Sequence, residues 1–518
     1  MITLINTPQI KKIAGLSMNW PAPPMGLAYI SAALRRAGHV PTVIDAVGEG
    51  IDDVRPGARE DFLVQGLTAD AILERIPADT RMVGVSVNFS SQWLVTRPLL
   101  AAIRERRPDV TIVAGGEHFS ATPEYSLKSG LVDVCVLGEG EETAVGLAER
   151  FATGRDFADL KGVAYLRDGE YVSNGLPARQ KKIDDIPWPD WESFPVRAYL
   201  DSQQSHIGTY AGRTMPVLGS RGCPYACTFC SNEFMWTTRW IPRSPVLVVD
   251  EMEAYVRAYG VENFDFWDLT AFVKKSWILE FCDALIARRL GVSWQLPVGT
   301  RSEVVDDQVA RAIYASGCRY VNFAPESGSE EMLKKVKKKI SLPHLREAVK
   351  VAVRNDLRVG CFLVLGFPED NEATMAETRG LVRDLARLGC SDITPNKFIP
   401  YPGSPLFKEL QRTGKLDMDD EFFGNILDFY KETRRSYCDA MPARRIYVHM
   451  WRMIVTFYGW SFLYHPLRML RDLAGGLFTA RENTKFVKLF HEVVRRRARW
   501  KARARRFAMA SASSGSDR

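Results

Sequence analysis

The feature of this sequence that most limits its fold is a repeated alternation of short apolar runs with helix-like segments. Near the N-terminus, apolar runs at Ile2–Asn6, Thr42–Asp45, Met82–Val87, Thr111–Ala114 and Val132–Leu137 are separated by segments of helical periodicity. Such alternation predicts parallel strands joined by crossover helices, because parallel neighbours need a long connection. We therefore expect residues 1–150 to form a doubly wound α/β domain of the Rossmann type.

A second strand–helix series begins near residue 206. Its expected strands are Pro216–Leu218, Asn263–Phe266, Ser293–Leu296, Tyr320–Phe323, Val359–Leu365 and Asp392–Phe398. Six parallel strands with helices between them predict a partial (β/α)6 barrel over residues 206–408, with its ligands at the C-terminal strand ends. Residues 151–205 are expected to form a linker with a small strand pair, and residues 409–518 an α-helical C-terminal region with a basic tail.

The composition is that of a multidomain globular protein from a reducing compartment. The chain has 518 residues, of which 46% are hydrophobic and 25% charged, and its nine cysteines are too scattered for a disulfide framework. The net charge of +7 is concentrated in residues 495–506, which leaves a nearly neutral body. We therefore expect a cytoplasmic protein, without a signal peptide, that does not bind nucleic acid.

Three cysteines stand within eight residues of the segment GSRGCPYACTFC, at Cys223, Cys227 and Cys230. A closed structural zinc site needs four ligands, and outside this triplet no Cys or His lies between His206 and Cys282. A redox dithiol needs only the last two cysteines. A four-iron cluster held by three thiolates leaves one iron free for an exogenous ligand, and this explains why three cysteines are present.

Small or polar residues also follow three strands of the N-terminal series. Ligands of open α/β sheets bind at such strand ends, and glycine there permits close approach of a bulky ligand. The candidate contacts are Asn88, Ser90, Gly115, Gly116, Gly138 and Gly140. The alternative is that these residues only form tight strand-to-helix turns. The nearby aromatic residues Phe89 and Trp93 are expected in the core rather than on a ligand.

Taken with these motifs, the sequence resembles the radical S-adenosylmethionine (SAM) superfamily, in the subgroup with an N-terminal cobalamin-binding domain. The segments that carry the resemblance are SRGCPYxCxFC, FDFWDLTAF, NFAPESGSEEMLKKVKKKIS, FLVLGFPEDNEAT, FIPYPGSPLF, PPMGLAYISAALRRAGH and VAGGEHFSATPE. They span roughly residues 1–410. The subgroup includes the anaerobic magnesium-protoporphyrin monomethyl ester cyclase and cobalamin-dependent methyltransferases.

The resemblance implies three cofactors: a [4Fe–4S] cluster on the cysteine triplet, SAM and cobalamin. The residues that it associates with SAM are Phe229, Asp268, Arg301, Glu326 and Ser327. Arg301 and Glu326 have the alternative role of ion pairs at the barrel rim. It also implies reductive cleavage of SAM by an external one-electron donor of the flavodoxin or ferredoxin type. The cobalt-ligating motif DxHxxG is absent from the sequence, so a histidine of that motif is not expected below cobalt.

For the reaction, the resemblance favours methylation of an unactivated carbon in a natural-product, lipid or tetrapyrrole-like small molecule. Oxidative cyclisation or rearrangement is the first alternative. A methylthiotransferase or a non-enzymatic Fe–S or cobalamin sensor is the second, although Cys135 alone is a poor basis for the additional cluster of a methylthiotransferase.

The aromatic and arginine-rich C-terminal region suits either peripheral contact with the inner face of the membrane or a helix pair covering the barrel. Its apolar run Ile446–Tyr464 contains His449 and Arg452, so it is not expected to span a membrane.

Overall fold

The computed structural model of the chain describes residues 1–12, 21–154, 156–202, 212–427 and 435–478. Its strands are β1 (Ile2–Asn6), β2 (Gln9–Lys12), β3 (Thr42–Asp45), β4 (Val54–Pro56), β5 (Phe62–Gln65), β6 (Met82–Ser86), β7 (Thr111–Gly115), β8 (Val134–Val136), β9 (Val163–Arg167), β10 (Glu170–Ser173), β11 (Thr214–Val217), β12 (Ser220–Arg221), β13 (Ile241–Pro242), β14 (Asn263–Phe266), β15 (Ser293–Thr300), β16 (Cys318–Glu326), β17 (Arg358–Leu365) and β18 (Asp392–Lys397).

The helices alternate with these strands along most of the chain. They are α1 (Met25–Arg36), α2 (Ala46–Glu49), α3 (Ala69–Arg75), α4 (Trp93–Arg106), α5 (Glu117–Ala121), α6 (Pro123–Lys128), α7 (Glu141–Thr153), α8 (Val196–Asp201), α9 (Asn232–Met235), α10 (Pro245–Tyr259), α11 (Lys275–Arg288), α12 (Asp307–Ala315), α13 (Glu330–Lys335), α14 (Leu342–Arg354), α15 (Glu372–Arg387), α16 (Pro405–Arg412), α17 (Asp420–Asn425), α18 (Ala443–Tyr464) and α19 (Pro466–Phe478).

The N-terminal domain is built on a seven-stranded sheet in the order β10-β9-β8-β7-β6-β1-β3. Its strands β8, β7, β6, β1 and β3 are parallel, which confirms the predicted doubly wound arrangement. In chain order the parallel strands give the 2-1-3-4-5 topology of flavodoxin-like sheets. The order reverses between β1 and β6, so the expected ligand crevice lies at the C-terminal ends of these two strands.

The pattern of α4 shows why the crossover helices pack on this sheet. Its buried residues Trp93, Thr96, Leu100 and Ile103 recur at spacings of three and four, which places them on one face of the helix. Trp93 is completely buried, as expected for a core residue. Phe89, in contrast, is 54% exposed beyond the end of β6, so the expectation that it belongs to the core is wrong.

Two sheet features lie outside the predicted pattern. The hairpin of β9 and β10, in the interval expected to be a linker, pairs antiparallel with β8 and extends the N-terminal sheet. A separate antiparallel sheet of β2, β5 and β4 was not expected at all. Its strands are only three or four residues long, and the two outer strands contain lysine, arginine or proline, so their pairing could not be recognised from apolar runs.

The second domain is an open barrel of six parallel strands in the order β11-β14-β15-β16-β17-β18. Each strand lies beside the next one in the sequence, as predicted for a partial (β/α)6 barrel. β15 and β16 are longer than expected because they continue through polar residues, glycine and proline that do not prolong an apolar run. These extensions carry Thr300 and Glu326 to the C-terminal end of the barrel.

The C-terminal helix α18 packs on α15 and on the last barrel strand, β18. Met450, Met453 and Phe457 are completely buried there, and the Tyr458 hydroxyl donates to Asp392 of β18 over 3.3 Å. The predicted helical C-terminal region is therefore confirmed, and α18 packs on the last barrel strand, in agreement with the alternative that helices of this region cover the barrel. No helix in the described part of the chain combines the length and apolarity needed to cross a membrane. The basic tail lies outside the described residues.

Candidate active site

The loop that carries the three cysteines follows β11, at the C-terminal end of the barrel. It is anchored to two other segments: Thr228 donates its backbone N–H to the Val336 carbonyl over 3.0 Å and accepts from the Leu406 N–H over 2.9 Å. The loop starts at Gly222, whose φ of +83° favours glycine. A Cβ at this position would overlap the carbonyl oxygen of Arg239. The entry into the cysteine triplet is thus fixed by the backbone.

The thiols of Cys223, Cys227 and Cys230 are partly or fully buried and lie close enough to influence one another. Burial raises the pKa of each thiol, that of Cys230 to about 12, and the other cysteines of the triplet raise the pKa values of Cys227 and Cys230 further. Nearby positive charges oppose this effect at Cys223 and Cys227. Because metal ligation requires thiolates, these cations favour the binding form of the loop.

One of these cations is Lys338, which forms a buried ion pair with Glu326 at 2.9 Å. Burial alone would lower the pKa of the Lys338 ammonium, but Glu326 and Cys227 together outweigh burial and raise it. Glu326 itself ends β16 with a φ of +66°, a strained conformation for a residue other than glycine. The backbone therefore holds this carboxylate in place beside the cysteine loop.

The second cation, Arg301, follows β15 and lies over the ring of Tyr225 in the cysteine loop, with its guanidinium carbon 3.9 Å from the ring centre. It also forms two hydrogen bonds to Glu303, of 3.1 and 2.6 Å. Phe229 is half-buried between the ring of Phe367, at 5.4 Å, and the Lys338 ammonium, at 6.0 Å. Tyr225 thus links the loop to the end of the third barrel strand.

The remaining two barrel residues predicted near SAM serve the protein's own backbone. Asp268 accepts hydrogen bonds from the Gly219 N–H over 3.0 Å and from the Ser220 hydroxyl, and burial raises its pKa to about 6. The Ser327 hydroxyl lies 3.2 Å from that of Thr378 and accepts from the Ser329 N–H. Asp268 is therefore a support of the turn that leads into the cysteine loop.

Several buried hydroxyl groups close to these residues have no hydrogen-bond partner among the described residues. They belong to Thr228, Thr270, Ser302 and Ser329. Each stands within two residues of a cysteine ligand, Asp268, Arg301 or Ser327 in the sequence. An unpaired buried hydroxyl is costly, so these four groups are polar atoms whose hydrogen-bonding capacity the described residues leave unused.

The cysteine loop is joined directly to the N-terminal domain by buried ion pairs. Arg221, two residues before Cys223, donates to Glu139 over 3.1 Å and to Glu141 over 2.6 Å, and Arg179 binds Glu139 at 2.7 Å. Burial would raise the pKa of Glu141, but Arg221 outweighs burial and lowers it. These acids occupy the loop after β8, which sequence reasoning selected only for its glycines.

A second junction brings the end of β7 to the same loop. The Ser231 hydroxyl, adjacent to Cys230, donates to the carboxylate of Glu117, whose pKa is raised by burial. Nothing in the sequence relates Glu117 to Ser231, and neither residue was predicted to belong to the site. The C-terminal strand ends of the two sheets thus meet at the cysteine loop.

The candidate cobalamin contacts divide into exposed and packed positions. Asn88 and Phe89 are exposed at the reversal point beside β1, and a Cβ at Gly115 would come no closer than 3.6 Å to any atom. Ser90 instead pairs with the buried His118, whose Nδ1 lies 3.0 Å from the serine oxygen. A Cβ placed on Gly116, Gly138 or Gly140 would lie 2.6, 3.3 or 3.0 Å, respectively, from the nearest atom of the protein.

Comparison with protein families matches both halves of this architecture. Residues 11–148 match the B12 binding domain, and residues 217–382 match the radical SAM superfamily. The chain joins a B12-binding domain to a radical SAM domain. The radical SAM domain begins at β11 and contains the cysteine loop, and the family therefore implies a [4Fe–4S] cluster and SAM. The B12-binding domain implies cobalamin.

Several proteins similar to this chain are named as enzymes. An uncharacterized methyltransferase of Pyrococcus horikoshii is 27% identical over 77% of this chain and 80% of its own length. The anaerobic magnesium-protoporphyrin IX monomethyl ester cyclase of Rubrivivax gelatinosus is 26% identical over 77% of this chain and 67% of its own. The solved structure of the radical SAM methyltransferase TsrM from Kitasatospora setae, with cobalamin and a [4Fe–4S] cluster bound, matches with a TM-score of 0.62, 19% identity and coverage of 80% and 78%.

The residues of the radical SAM domain fit the cofactors that it implies. In the described part of the chain, no three His, Cys, Asp or Glu side chains converge on a point that one metal ion could occupy. A four-iron cluster does not need such convergence, because each thiolate binds a different iron. The three thiols form a suitable donor set for three irons, and the two adjacent cations, Lys338 and Arg301, favour the thiolate form of Cys223 and Cys227.

The edge of the B12-binding domain also fits its cofactor. Asn88 and Phe89 are exposed at the reversal point of the sheet, where ligands of this fold bind, and Gly115 leaves open space at the end of the neighbouring strand β7. The chain is accordingly a cobalamin-dependent radical SAM enzyme.

Proposed function

We propose that the enzyme transfers a methyl group to an unactivated carbon of a small apolar or planar molecule. The observation that carries this proposal is the junction of the two domains. Glu117, just after β7, binds Ser231 beside Cys230, so the strand ends of the B12-binding domain and the cysteine loop are adjacent. A substrate held at this junction would be within reach of both cofactors.

When bound, SAM and its cluster supply a radical that removes a hydrogen atom, and cobalamin supplies the methyl group. The chain's own residues would orient and shield these groups. The three cysteines bind the cluster, and the half-buried ring of Phe229 provides an apolar face for the adenine of SAM. Arg301 and Glu326 are suitably charged for the carboxylate and amino groups of SAM, and the hydroxyls of Ser302 and Ser329 are available to pair with it.

The test is an anaerobic reconstitution with iron, sulfide, cobalamin, SAM and reductant, followed by analysis of products. A methyltransferase consumes one SAM to give 5′-deoxyadenosine and a second SAM to give S-adenosylhomocysteine, and its product gains the mass of one methylene. We expect equal amounts of both nucleosides over several turnovers. The matched control Cys230→Ala should give no 5′-deoxyadenosine and no methylated product. Radical SAM relatives that are named methyltransferases support this expectation.

The same assay separates the alternatives. An oxidative cyclase or a rearrangement enzyme would form 5′-deoxyadenosine without S-adenosylhomocysteine. A methylthiotransferase would add sulfur together with the methyl group. In a sensor, the rate at which either nucleoside forms would not depend on the substrate. Any of these results would refute the methyltransferase proposal.

The surface of α18 and α19 suggests how an apolar substrate reaches the enzyme. Val455, Leu463, Leu467 and Leu470 are between 53% and 76% exposed on these helices. Exposed apolar residues flanked by arginines suit peripheral contact with an anionic membrane. Co-sedimentation with vesicles containing anionic lipid tests this contact. Leu463→Ser/Leu467→Ser should release the protein from the vesicles, whereas unchanged sedimentation would exclude the surface.

A further inference from the structure

A basic groove runs along the outer side of the cysteine loop. It encloses about 770 Å³ and is bordered on one side by Pro224, Tyr225 and Ala226 of that loop. The other side is lined by four lysines: Lys334, Lys337, Lys338 and Lys339. We call this feature the lysine groove. Its position places a strongly charged surface against the ligands of the cluster.

The charge of the lysine groove is largely uncompensated. Lys334, Lys337 and Lys339 are exposed and form no ion pair within the described residues, whereas Lys338 is neutralised by Glu326. Glu330 is the one acidic residue that lines the groove in the described structure. A surface of this kind attracts a partner of opposite charge and steers its approach over about one Debye length, ~10 Å at 0.1 M salt.

The groove wall is also in direct contact with a cluster ligand. The Cys227 sulfur lies 3.9 Å from the carbonyl oxygen of Lys337, and the adjacent Val336 accepts a hydrogen bond from Thr228. Lys337 adopts a φ of +53°, which turns the chain sharply at this point. Pro224 and Ala226 are exposed between the cysteines, so little protein separates the ligands from solvent.

We propose that the lysine groove is the docking site for an acidic one-electron carrier protein, of the flavodoxin or ferredoxin class. This proposal rests on the proposed function, since it gives that enzyme its reductant. A docked carrier loses one electron, and the cofactor held by the cysteines gains it. Electron transfer weakens steeply with distance, and the groove offers a short route from the surface to Cys227. Redox encounters of this type use small, charged interfaces that form and separate quickly.

The test measures binding without turnover. Oxidised flavodoxin and oxidised ferredoxin are titrated separately into the enzyme at low and high salt. We expect at least one carrier to bind, with an affinity that falls as salt rises. Lys334→Glu/Lys339→Glu should weaken this binding roughly tenfold or more at low salt, the scale of electrostatic steering. Lys337 is left unchanged because its carbonyl contacts Cys227.

Lys335→Glu is the matched control, because Lys335 lies on the same helix, pairs with Glu331 at 2.8 Å and does not line the groove. It should bind the carriers nearly as the unmodified enzyme does. Lys334→Gln/Lys339→Gln, which only removes charge, should give a smaller loss and serves if the reversed variant does not fold.

Reduction by dithionite separates this proposal from the proposed function. With dithionite, Lys334→Glu/Lys339→Glu should form 5′-deoxyadenosine as fast as the unmodified enzyme, whereas with reduced carrier it should be slower. If the enzyme cleaves no SAM with dithionite, the proposed function is refuted. The binding titration would still test whether a carrier docks in the lysine groove. Equal carrier binding by the variant and the unmodified enzyme would overturn the docking proposal. Tighter binding of a short RNA oligonucleotide, lost in the same variant, would also overturn it.

Discussion

Replacing Arg221 by methionine is expected to weaken the junction between the two domains. Its guanidinium is buried and bonds Glu139 and Glu141 at once. Methionine keeps much of the apolar stem but leaves the two carboxylates without this partner. Removing one member of a buried ion pair costs about 3–5 kcal/mol, because the remaining charge stays buried and unpaired.

The structure places the expected loss near the lower end of that range. Glu139 keeps its ion pair with Arg179 at 2.7 Å. The loss of stability therefore comes mainly from Glu141, whose buried carboxylate is left without a cation. We therefore expect the free energy of unfolding to fall by about 3 kcal/mol at neutral pH. The double variant Arg221→Met/Glu141→Gln should recover most of this loss, since it also removes the unpaired negative charge of Glu141.

The pH dependence gives a second check of the same ion pair. Arg221 lowers the pKa of Glu141 in the folded protein, so the pair stabilises the fold above the ordinary carboxyl range. That stability is lost as the pH falls through the lowered pKa of Glu141. The difference between the unmodified protein and Arg221→Met should therefore shrink in acid.

The assay is urea unfolding of protein purified in air, without cofactors, followed by tryptophan fluorescence at several pH values. A loss below about 0.5 kcal/mol for Arg221→Met, the range of ordinary surface substitutions, would refute the reasoning. The free energy of unfolding of Arg221→Lys should lie between those of the unmodified protein and Arg221→Met, because an ammonium does not bridge two carboxylates as a guanidinium does.

Three further substitutions test the support of the cysteine loop. Gly222→Ala should lower the iron bound after anaerobic reconstitution, because its φ is +83° and its Cβ would overlap a carbonyl; full iron content would contradict this. Glu326→Gln should lower the unfolding free energy by about 3–5 kcal/mol, because the buried Lys338 ammonium is left without its carboxylate partner. Urea unfolding of Glu326→Gln/Lys338→Met should show that most of this loss is restored. Asp268 has a pKa raised to about 6, so it makes stability fall as pH rises from about 4 to about 6. Asp268→Asn should remove that slope, and an unchanged slope in urea unfolding would assign it to other groups.

The strands that could be predicted are those with continuous apolar runs. Ile2–Asn6 was located to the residue and the strand at Val359–Leu365 to within one residue, because burial on both faces of a parallel sheet demands such runs. β2 and β4 were missed because they pair at the edge of a small sheet and contain lysine, arginine or proline. The strand pair of β9 and β10 was predicted, but its place beside β8 at the edge of the N-terminal sheet was not, because no local pattern reports which strand lies beside it.

The cysteine triplet could be predicted because its ligands are neighbours in the sequence. The groups that hold the triplet are distant from it: Glu139 and Glu141 lie some 80 positions before Arg221, and Glu117 lies 114 before Ser231. No local pattern reports such pairs. Asp268 was predicted near SAM from the family resemblance, yet its carboxylate supports the turn at Gly219 and Ser220.

The ion pairs of Arg221 carry a consequence for how such an enzyme diversifies. They tie the cysteine loop and the loop after β8 into one block, so the distance between the cysteine triplet and this edge of the B12-binding domain is fixed. Molecules of different size must then be accommodated by parts outside that block. α18 lies against the last barrel strand and is free of these ties, so exchanging it between relatives should change the choice of molecule while the chemistry survives.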